Sequence, residues 1–227
     1  MVDESRGRCV SDESIRDDVL AQARQVFSLG HEASALVLFW ALYELSLHPD
    51  VVRRLRAELL QHGCDWNDVD FNALRSMPYL DAVVTELLRL HPPISTTARR
   101  VTEPVTVQTR DGQAVTLPRG TQLFCSLYHL HRDPQVWGPD ADRFLPDRWL
   151  GTLPNAAQNR CEYLPFLTGA RSCPSSGFVL LQMKLVLALL LSRAELSIPN
   201  ASEVKKCFGG VIRPAGPVAY EVEEISI

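Results

Sequence analysis

One cysteine places the strongest constraint on what this chain can fold into. Residues 165–174 read Pro-Phe-Leu-Thr-Gly-Ala-Arg-Ser-Cys-Pro, and an apolar run that predicts a helix follows directly. Gly169 suits a tight turn with positive φ, and Pro174 suits the first position of a helix. Because backbone N–H groups converge at a helix start, they would partly stabilise the negative charge of a Cys173 thiolate.

The neighbours of this cysteine indicate what it would bind. Phe166 could shield the sulfur from water, and Arg171 could reach an anionic group beside it. Together with the turn and the helix start, these residues predict the fifth ligand of a haem iron. The alternative is a structural cysteine buried at a helix start, since most isolated cysteines are inert core residues.

The spacing Phe-x-x-Gly-x-Arg-x-Cys over residues 166–173 resembles the haem-ligand loop of the cytochrome P-450 family, the thiolate-haem monooxygenases. The resemblance implies a cytochrome P-450-like fold, mainly α with small β-sheets (α+β), and the cofactor heme b (iron protoporphyrin IX). It covers the C-terminal portion of the family's domain and lacks the N-terminal half. It assigns Cys173 as the iron ligand, and Phe166 and Arg171 as cofactor-binding residues.

Composition argues against several other functions. A net charge of −4 over 227 residues gives no basic surface for nucleic acid. The six cysteines are scattered without a Cys-x-x-Cys pair, which argues against a zinc cluster, an iron–sulfur site or a dense disulfide scaffold. A reducing compartment is the simpler inference.

Two apolar segments, residues 33–47 and 179–191, raise the question of a membrane. Each is shorter than the roughly 20 residues that a spanning helix needs. The polar residues 1–18 lack the apolar region of a signal peptide. We therefore expect buried core helices, and no membrane span in this chain.

Helical periodicity is the main signal along the rest of the chain. It covers four long stretches, residues 14–47, 51–62, 79–90 and 175–193. The apolar side of the first stretch is broad, so we expect that helix to cross the interior. Asp50 is the expected cap of the second helix.

The middle of the chain changes character. Alternating valines on both sides of Asp111-Gly112 predict a β-hairpin, and residues 133–151 predict a long ordered loop with buried aromatic residues. We interpret the whole as one compact unit. Residues 1–20 form a polar N-terminal segment, and residues 21–227 form the haem-binding portion.

Glu86 and Arg89 place a carboxylate and a guanidinium three residues apart on one helix face. Alone, such a pair is more often a solvated surface pair of little consequence. In the resemblance, however, this segment matches the family's Glu-x-x-Arg helix, and Arg148 is implied as a third partner. The triad would fix the geometry of the haem pocket without performing chemistry.

Arginines and histidines near the strands offer further candidates. In the resemblance, Arg99 best matches the family's propionate-binding arginine. A guanidinium suits a haem propionate as it suits any carboxylate. For Arg100, a surface arginine and a propionate ligand are equally compatible with the sequence. His129 and His131 suggest a metal pair, but no third ligand accompanies them.

The segment from Gly30 to Ser34 resembles the family's distal helix motif, in which an acid and an alcohol relay protons beside bound oxygen. The resemblance makes Glu32 and Ser34 the candidate catalytic residues. Ala33 stands where the family's threonine usually lies. The alternative is that Glu32 and Ser34 are ordinary helix residues.

The resemblance implies an enzyme that inserts one oxygen atom from O2 into a small lipophilic organic substrate, in secondary metabolism. No Gly-rich dinucleotide fingerprint is present, so the electrons would come from a separate NADPH-dependent flavoprotein reductase or a ferredoxin-type donor. Family analogy implies an intracellular location, peripheral to the endoplasmic reticulum.

The alternative hypothesis is a truncated, catalytically impaired or inactive remnant that binds haem weakly or acts only with a missing N-terminal half. Ala33 favours it, and so does Ser175, which stands where the family usually has glycine and would crowd the porphyrin. A truncated copy, a partial gene sequence and one half of a split protein are all compatible with the sequence.

Overall fold

The computed structural model describes residues 2–3, 8–9, 12–63, 70–151 and 161–225. These ranges are mainly helical with small antiparallel sheets, which confirms the α+β class. Their α-helices are α1 (Asp12–Leu47), α2 (Pro49–His62), α3 (Phe71–Arg75), α4 (Pro78–Leu90), α5 (Leu127–Leu130), α6 (Pro134–Trp137) and α7 (Ser176–Arg193). All four long periodic stretches are therefore confirmed as helices.

Helix α4 lies at the centre of the core. Ten of its thirteen residues are buried, and helices α1, α2 and α7 all pack against it. Leu80, Val83 and Leu87 of α4 join Leu55 of α2 and Leu187 of α7 in one apolar cluster. Burial of each such side chain contributes about 1.5–3 kcal/mol. The cluster therefore holds the Glu86–Arg89 segment rigidly in place.

Helix α1 has two different halves. Residues 13–32 are all exposed, whereas Val37, Ala41 and Leu45 are buried. The expectation that the whole helix crosses the interior is therefore wrong for the first half. The helix also runs unbroken past residue 20, where the sequence suggested a boundary between two segments.

The start of helix α2 also differs from the expectation. His48 occupies the N-cap position without a side-chain cap, and Pro49 is the first helical residue. Asp50 lies inside the first turn, so its assignment as the cap is wrong. Proline suits this position because its missing N–H would be unpaired there in any case.

The strands form two-stranded antiparallel sheets. The pairs are β1 (Val2–Asp3) with β2 (Arg8–Cys9), β3 (Thr96–Arg100) with β6 (Gln122–Ser126), β4 (Val105–Gln108) with β5 (Ala114–Leu117), β7 (Ala194–Ser197) with β10 (Glu221–Glu224), and β8 (Lys206–Phe208) with β9 (Ile212–Pro214). The β4–β5 pair confirms the predicted hairpin. Strand β7 was not expected, because it continues directly from α7.

The segment 133–151 is ordered around buried aromatic rings, as predicted. It contains α6 and a 3₁₀ turn, Pro146–Trp149. Trp137 and Phe144 are 4% and 5% exposed. Trp137 packs in a small second cluster with Trp149 and Tyr163. This cluster fixes the segment against the end of α4.

Helices α1 and α7 are long and apolar enough to cross a membrane, judged by length and composition alone. In the most apolar stretch of each helix, 22% of the residues of α1 and 33% of those of α7 are buried in the fold. Both helices are thus less enclosed than the core helices expected from the sequence. The absence of a membrane span stays a prediction.

Candidate functional site

The cysteine-bearing loop is closed by backbone hydrogen bonds. The amide of Cys173 donates to the carbonyl of Phe166 at 2.8 Å, and the amide of Leu167 donates to the carbonyl of Leu164 at 3.2 Å. Leu167 and Gly169 have φ values of 60° and 74°, in the left-handed region that lets the chain reverse. Phe166 is partly buried against the main core. The loop is therefore tethered at its base and presents a half-buried Cys173.

The cysteine lies farther from the following helix than the sequence suggested. Helix α7 begins at Ser176, with Ser175 at the N-cap position. Pro174 is thus outside the helix, and its assignment to the first helical position is wrong. A 3₁₀ turn, Gly169–Arg171, precedes Cys173 on its other side.

Glu86, Arg89 and Arg148 lie together, as the resemblance implied. Arg89 donates from Nε to Oε2 of Glu86 and from Nη2 to Oε1, both at 2.8 Å. Arg148 donates from Nε to Oε1 at 3.4 Å. Glu86 and Arg89 are both 0% exposed. Since a buried ion pair is weak evidence for stability, the rigid geometry is the more informative property.

Glu86 accepts two further hydrogen bonds that sequence reasoning did not identify. The amide of Leu145 donates to Oε1 at 3.0 Å, and the indole Nε1 of Trp149 donates to Oε2 at 2.8 Å. Arg89 also donates from Nη1 to the carbonyls of His131 and Ala141, at 2.7 and 2.6 Å. The pair on α4 therefore holds the segment 131–149 at several points.

The sequence also did not indicate where His131 lies in the fold. It is 0% exposed, and its ring lies 5.4 Å from that of Tyr163. Burial lowers the pKa of His131 to about 4, because the charged imidazolium would lose its water. The ring is therefore neutral at physiological pH, with one nitrogen that donates and one that accepts.

A third buried cluster ties helix α1 to the residue after α4. His91 is hydrogen-bonded through Nε2 to Oε1 of Glu44 at 2.6 Å, and its ring stacks on Trp40 at 4.9 Å. Burial lowers the pKa of His91 to about 4, although Glu44 opposes this shift. Trp40 in turn donates from Nε1 to the carbonyl of Ile212 at 3.0 Å. The cluster therefore connects α1, α4 and β9.

The two candidate propionate ligands both have exposed side chains. Arg99 lies near the end of β3 and donates from Nη1 to Oγ1 of Thr97 at 2.9 Å and to the carbonyl of Ala98 at 2.8 Å. Arg171 ends the 3₁₀ turn before Cys173. Within the described ranges, neither guanidinium forms an ion pair with a carboxylate, so both remain available to an anion.

The two candidate proton-relay residues lie in different surroundings. Glu32 is exposed, and Ser34 is 8% exposed. Residues two apart on an α-helix are separated by about 200° around its axis, which explains the difference. The hydrogen bonds of the described residues join Phe166 to Cys173, but none connects Glu32 or Ser34 to that loop.

The residues that follow Cys173 in the chain are mostly exposed. Phe178, near the start of α7, is 68% exposed. A Cβ added at Gly177 would meet nothing within 4 Å. Cavities of about 390 and 780 Å³ lie elsewhere, and Cys173 lines neither. The half-buried Cys173 thiol fits a haem by its chemistry, since soft thiolates suit haem iron.

Comparison with known proteins decides the family. The family model described as Cytochrome P450 matches residues 4–222, nearly the whole chain. The chain belongs to the cytochrome P450 family. This match confirms the resemblance drawn from residues 166–173.

Curated relatives of this cytochrome P450 come from plants, fungi and mammals. Cytochrome P450 714C2 of Oryza sativa subsp. japonica is 34% identical over 185 residues, which cover 81% of this chain and 34% of the relative. Cytochrome P450 monooxygenase sphH of Aspergillus fumigatus is 35% identical over 209 residues (87% and 37%). Taurochenodeoxycholic 6 alpha-hydroxylase of Sus scrofa is 34% identical over 195 residues (86% and 37%). The chain thus spans about a third of the length of the curated relatives it matches.

Proposed function

We propose that this cytochrome P450 chain supplies the haem-thiolate portion of a monooxygenase. The reaction would convert an organic substrate RH, O2, two electrons and two protons into ROH and water. The observation that carries the proposal is the tethered, half-buried Cys173 on a loop whose sequence matches the family's ligand motif. Relatives named as a monooxygenase and a hydroxylase support the same reaction class.

The residues that would hold heme b are Cys173, Phe166, Arg171 and Arg99. Haem bound through Cys173 supplies an iron whose thiolate ligand favours O–O cleavage. Phe166 would keep water from the sulfur, because its partly buried ring belongs to the same closed loop. The exposed guanidinium groups of Arg99 and Arg171 would bind the propionates by charge-assisted hydrogen bonds.

Glu32 and Ser34 are the proposed proton-handling residues. Glu32 is exposed and could take protons from water, and Ser34 is buried where the helix enters the core. A proton relay between them would need intervening water, because about 200° around the helix axis separates the carboxylate from the hydroxyl. Ala33, which lies between them, has no hydroxyl, so the proposed relay lacks the group that the family usually has at this position.

The electron donor and the substrate are proposed from the family. Electrons would come from an NADPH-dependent flavoprotein reductase or a ferredoxin-type protein, and the substrate would be a small lipophilic molecule. Relatives named secologanin synthase favour a role in secondary metabolism. An intracellular location peripheral to the endoplasmic reticulum is part of the same proposal.

A second candidate is a catalytically impaired or inactive cytochrome P450 that binds haem weakly. Specific residues favour it. Ala33 replaces the usual alcohol, and Ser175 adds a side chain at the N-cap of α7 beside the cysteine loop. The exposed first half of α1, with Val26 at 71% and Phe27 at 74%, leaves the proposed distal side without cover.

Haem reconstitution tests both candidates. The purified chain is mixed with haem, reduced under carbon monoxide, and scanned for the absorption band of a thiolate-ligated iron. We expect the band in the unmutated chain, its loss in Cys173→Ser, and its retention in Cys125→Ser, a matched control because Cys125 is an exposed free thiol on β6. Absence of the band from the unmutated chain would favour the second candidate.

A further inference from the structure

Arg89 and His131 exchange two hydrogen bonds deep in the core. The guanidinium Nη1 of Arg89 donates to the carbonyl of His131 at 2.7 Å, and Nδ1 of His131 lies 3.2 Å from the carbonyl of Arg89. A carbonyl can only accept, so Nδ1 carries the proton and donates. This assignment leaves Nε2 of the neutral ring as an acceptor.

That acceptor faces the segment that carries the cysteine. The amide of Leu164 donates to Nε2 of His131 at 2.9 Å. One neutral tautomer thus satisfies both ring nitrogens. The imidazole connects the backbone of α4 to the first residues of the loop.

The connection continues from Leu164 to the cysteine. The carbonyl of Leu164 accepts from the amide of Leu167, which closes the turn that contains Phe166. The carbonyl of Phe166 then accepts from the amide of Cys173. Three successive hydrogen bonds, each donated by a backbone amide, therefore link the His131 ring to Cys173.

Tyr163 attaches the same segment to α4 at a second point. Its hydroxyl donates to the carbonyl of Thr85 at 3.1 Å, and its ring packs 5.4 Å from that of His131. The tyrosine fixes how close the segment lies to α4. His131 pairs with the amide of Leu164, where the turn begins.

We propose that His131 is a positioning residue that anchors the turn at Leu164 to helix α4 and so holds Cys173 in place. Only the effect of His131 on the haem iron rests on the proposed function. Its role in the fold can be tested in the chain without haem. His131 does not contact the sulfur. It acts through the Leu164 amide and the turn that this amide begins.

Two conservative variants separate the two hydrogen bonds of the ring. In His131→Gln, the side-chain oxygen can reach the position of Nε2 and still accept from Leu164. In His131→Asn, the shorter amide can occupy the position of Nδ1 and donate to the Arg89 carbonyl, but it leaves Leu164 unpaired. His129→Asn is the matched control, since His129 is exposed and bonds only locally to Ser126.

The first measurements use the chain without haem. Hydrogen exchange of the Leu164 amide should accelerate about tenfold or more in His131→Asn, because a buried hydrogen bond is lost, and should stay within about threefold of the unmutated rate in His131→Gln. Alkylation of Cys173, measured by mass spectrometry relative to the exposed Cys125, should accelerate in the same variant only. The His129→Asn control should match the unmutated chain in both.

Spectra of the haem-loaded chain test the consequence at the iron. The share of reduced, CO-bound protein with the thiolate band should fall in His131→Asn and be rescued in His131→Gln. Equal behaviour of the two variants in exchange and alkylation would overturn the proposal. A missing thiolate band in the unmutated chain would defeat the proposed function, whereas exchange and alkylation would still decide the role of His131.

Discussion

Trp149 donates its indole N–H to Glu86 over a separation of 63 residues, with Nε1 at 2.8 Å from Oε2. The bond joins the 3₁₀ turn Pro146–Trp149 to the centre of α4. Glu86 is fully buried, so its charge depends entirely on such donors. Trp149 is therefore part of the same network as Arg89 and Arg148.

We expect Trp149→Phe to destabilise the fold by about 1.5–3 kcal/mol, the usual cost of losing a hydrogen bond to a charged group. Trp137→Phe is the comparison, because the Trp137 indole donates to the neutral carbonyl of Leu130 at 3.1 Å. That variant should lose about 1 kcal/mol. Urea unfolding of both variants measures the difference, and equal losses would contradict the charged network.

Removal of the carboxylate itself should have a larger effect. Glu86→Gln leaves the buried Arg89 guanidinium without its counter-charge, so we expect a loss of about 3–5 kcal/mol in the free energy of unfolding. Glu103→Gln, at an exposed position after β3, should change it by less than about 0.5 kcal/mol. If Glu86→Gln is as stable as the control, water must reach and solvate the Glu86–Arg89 pair in the fold.

The central helices could be predicted from the sequence because their signals are local. The Glu-x-x-Arg pair lies within one turn of α4, and the Asp111-Gly112 hairpin depends on neighbouring residues. The long-range donors could not be predicted in this way. The resemblance implied Arg148 as a partner of Glu86, but no local pattern indicated that Trp149 and His131 would also meet groups on α4.

Helix α1 shows a different limit of sequence reasoning. Its apolar residues predict a helix correctly, but periodicity does not say what covers each face. Val26 and Phe27 are as apolar as Val37 and Trp40, yet the first two are exposed and the last two are buried. Burial depends on which elements fold against each half, and α4 and the C-terminal strands meet only the second.

Two buried histidines should make stability depend on pH. His131 and His91 have pKa values of about 4 in the folded chain, below the ordinary 6.5, because burial disfavours their charged forms. Between these values the unfolded chain binds the protons first. Their contribution is therefore complete above pH 6.5 and is lost as the pH falls to about 4.

We expect the free energy of unfolding to fall by up to about 1.4 kcal/mol per pH unit for each histidine in this window. Urea titrations at pH 7.5, 6.0 and 5.0 measure the slope. His131→Gln should reduce it, because the substitution removes one of the two buried imidazoles. An unchanged slope in His131→Gln would mean that His131 titrates normally in the fold.

The proposed propionate ligands can be tested by changing the ligand as well as the protein. Arg99→Ala and Arg171→Ala should each weaken haem binding about tenfold, since each removes a charge-assisted hydrogen bond. Arg119→Ala provides the control, because Arg119 is an exposed arginine between β5 and β6 that is no candidate ligand. With haem dimethyl ester, which has no propionate charge, the differences should disappear. Persistence of the loss with the ester would assign these arginines a role in folding instead.

Ala33→Thr tests whether residues 32–34 of α1 face bound oxygen. Ala33 is half-buried between exposed Glu32 and buried Ser34, so a hydroxyl added there would complete the proposed relay. In a system that turns over a known substrate, we expect more product per electron consumed and less hydrogen peroxide released. Ala35→Thr is the matched control, because it places the same side chain at an exposed position of the same helix. Equal coupling in the two variants would place the proton path elsewhere, because only residue 33 lies between the proposed acid and alcohol.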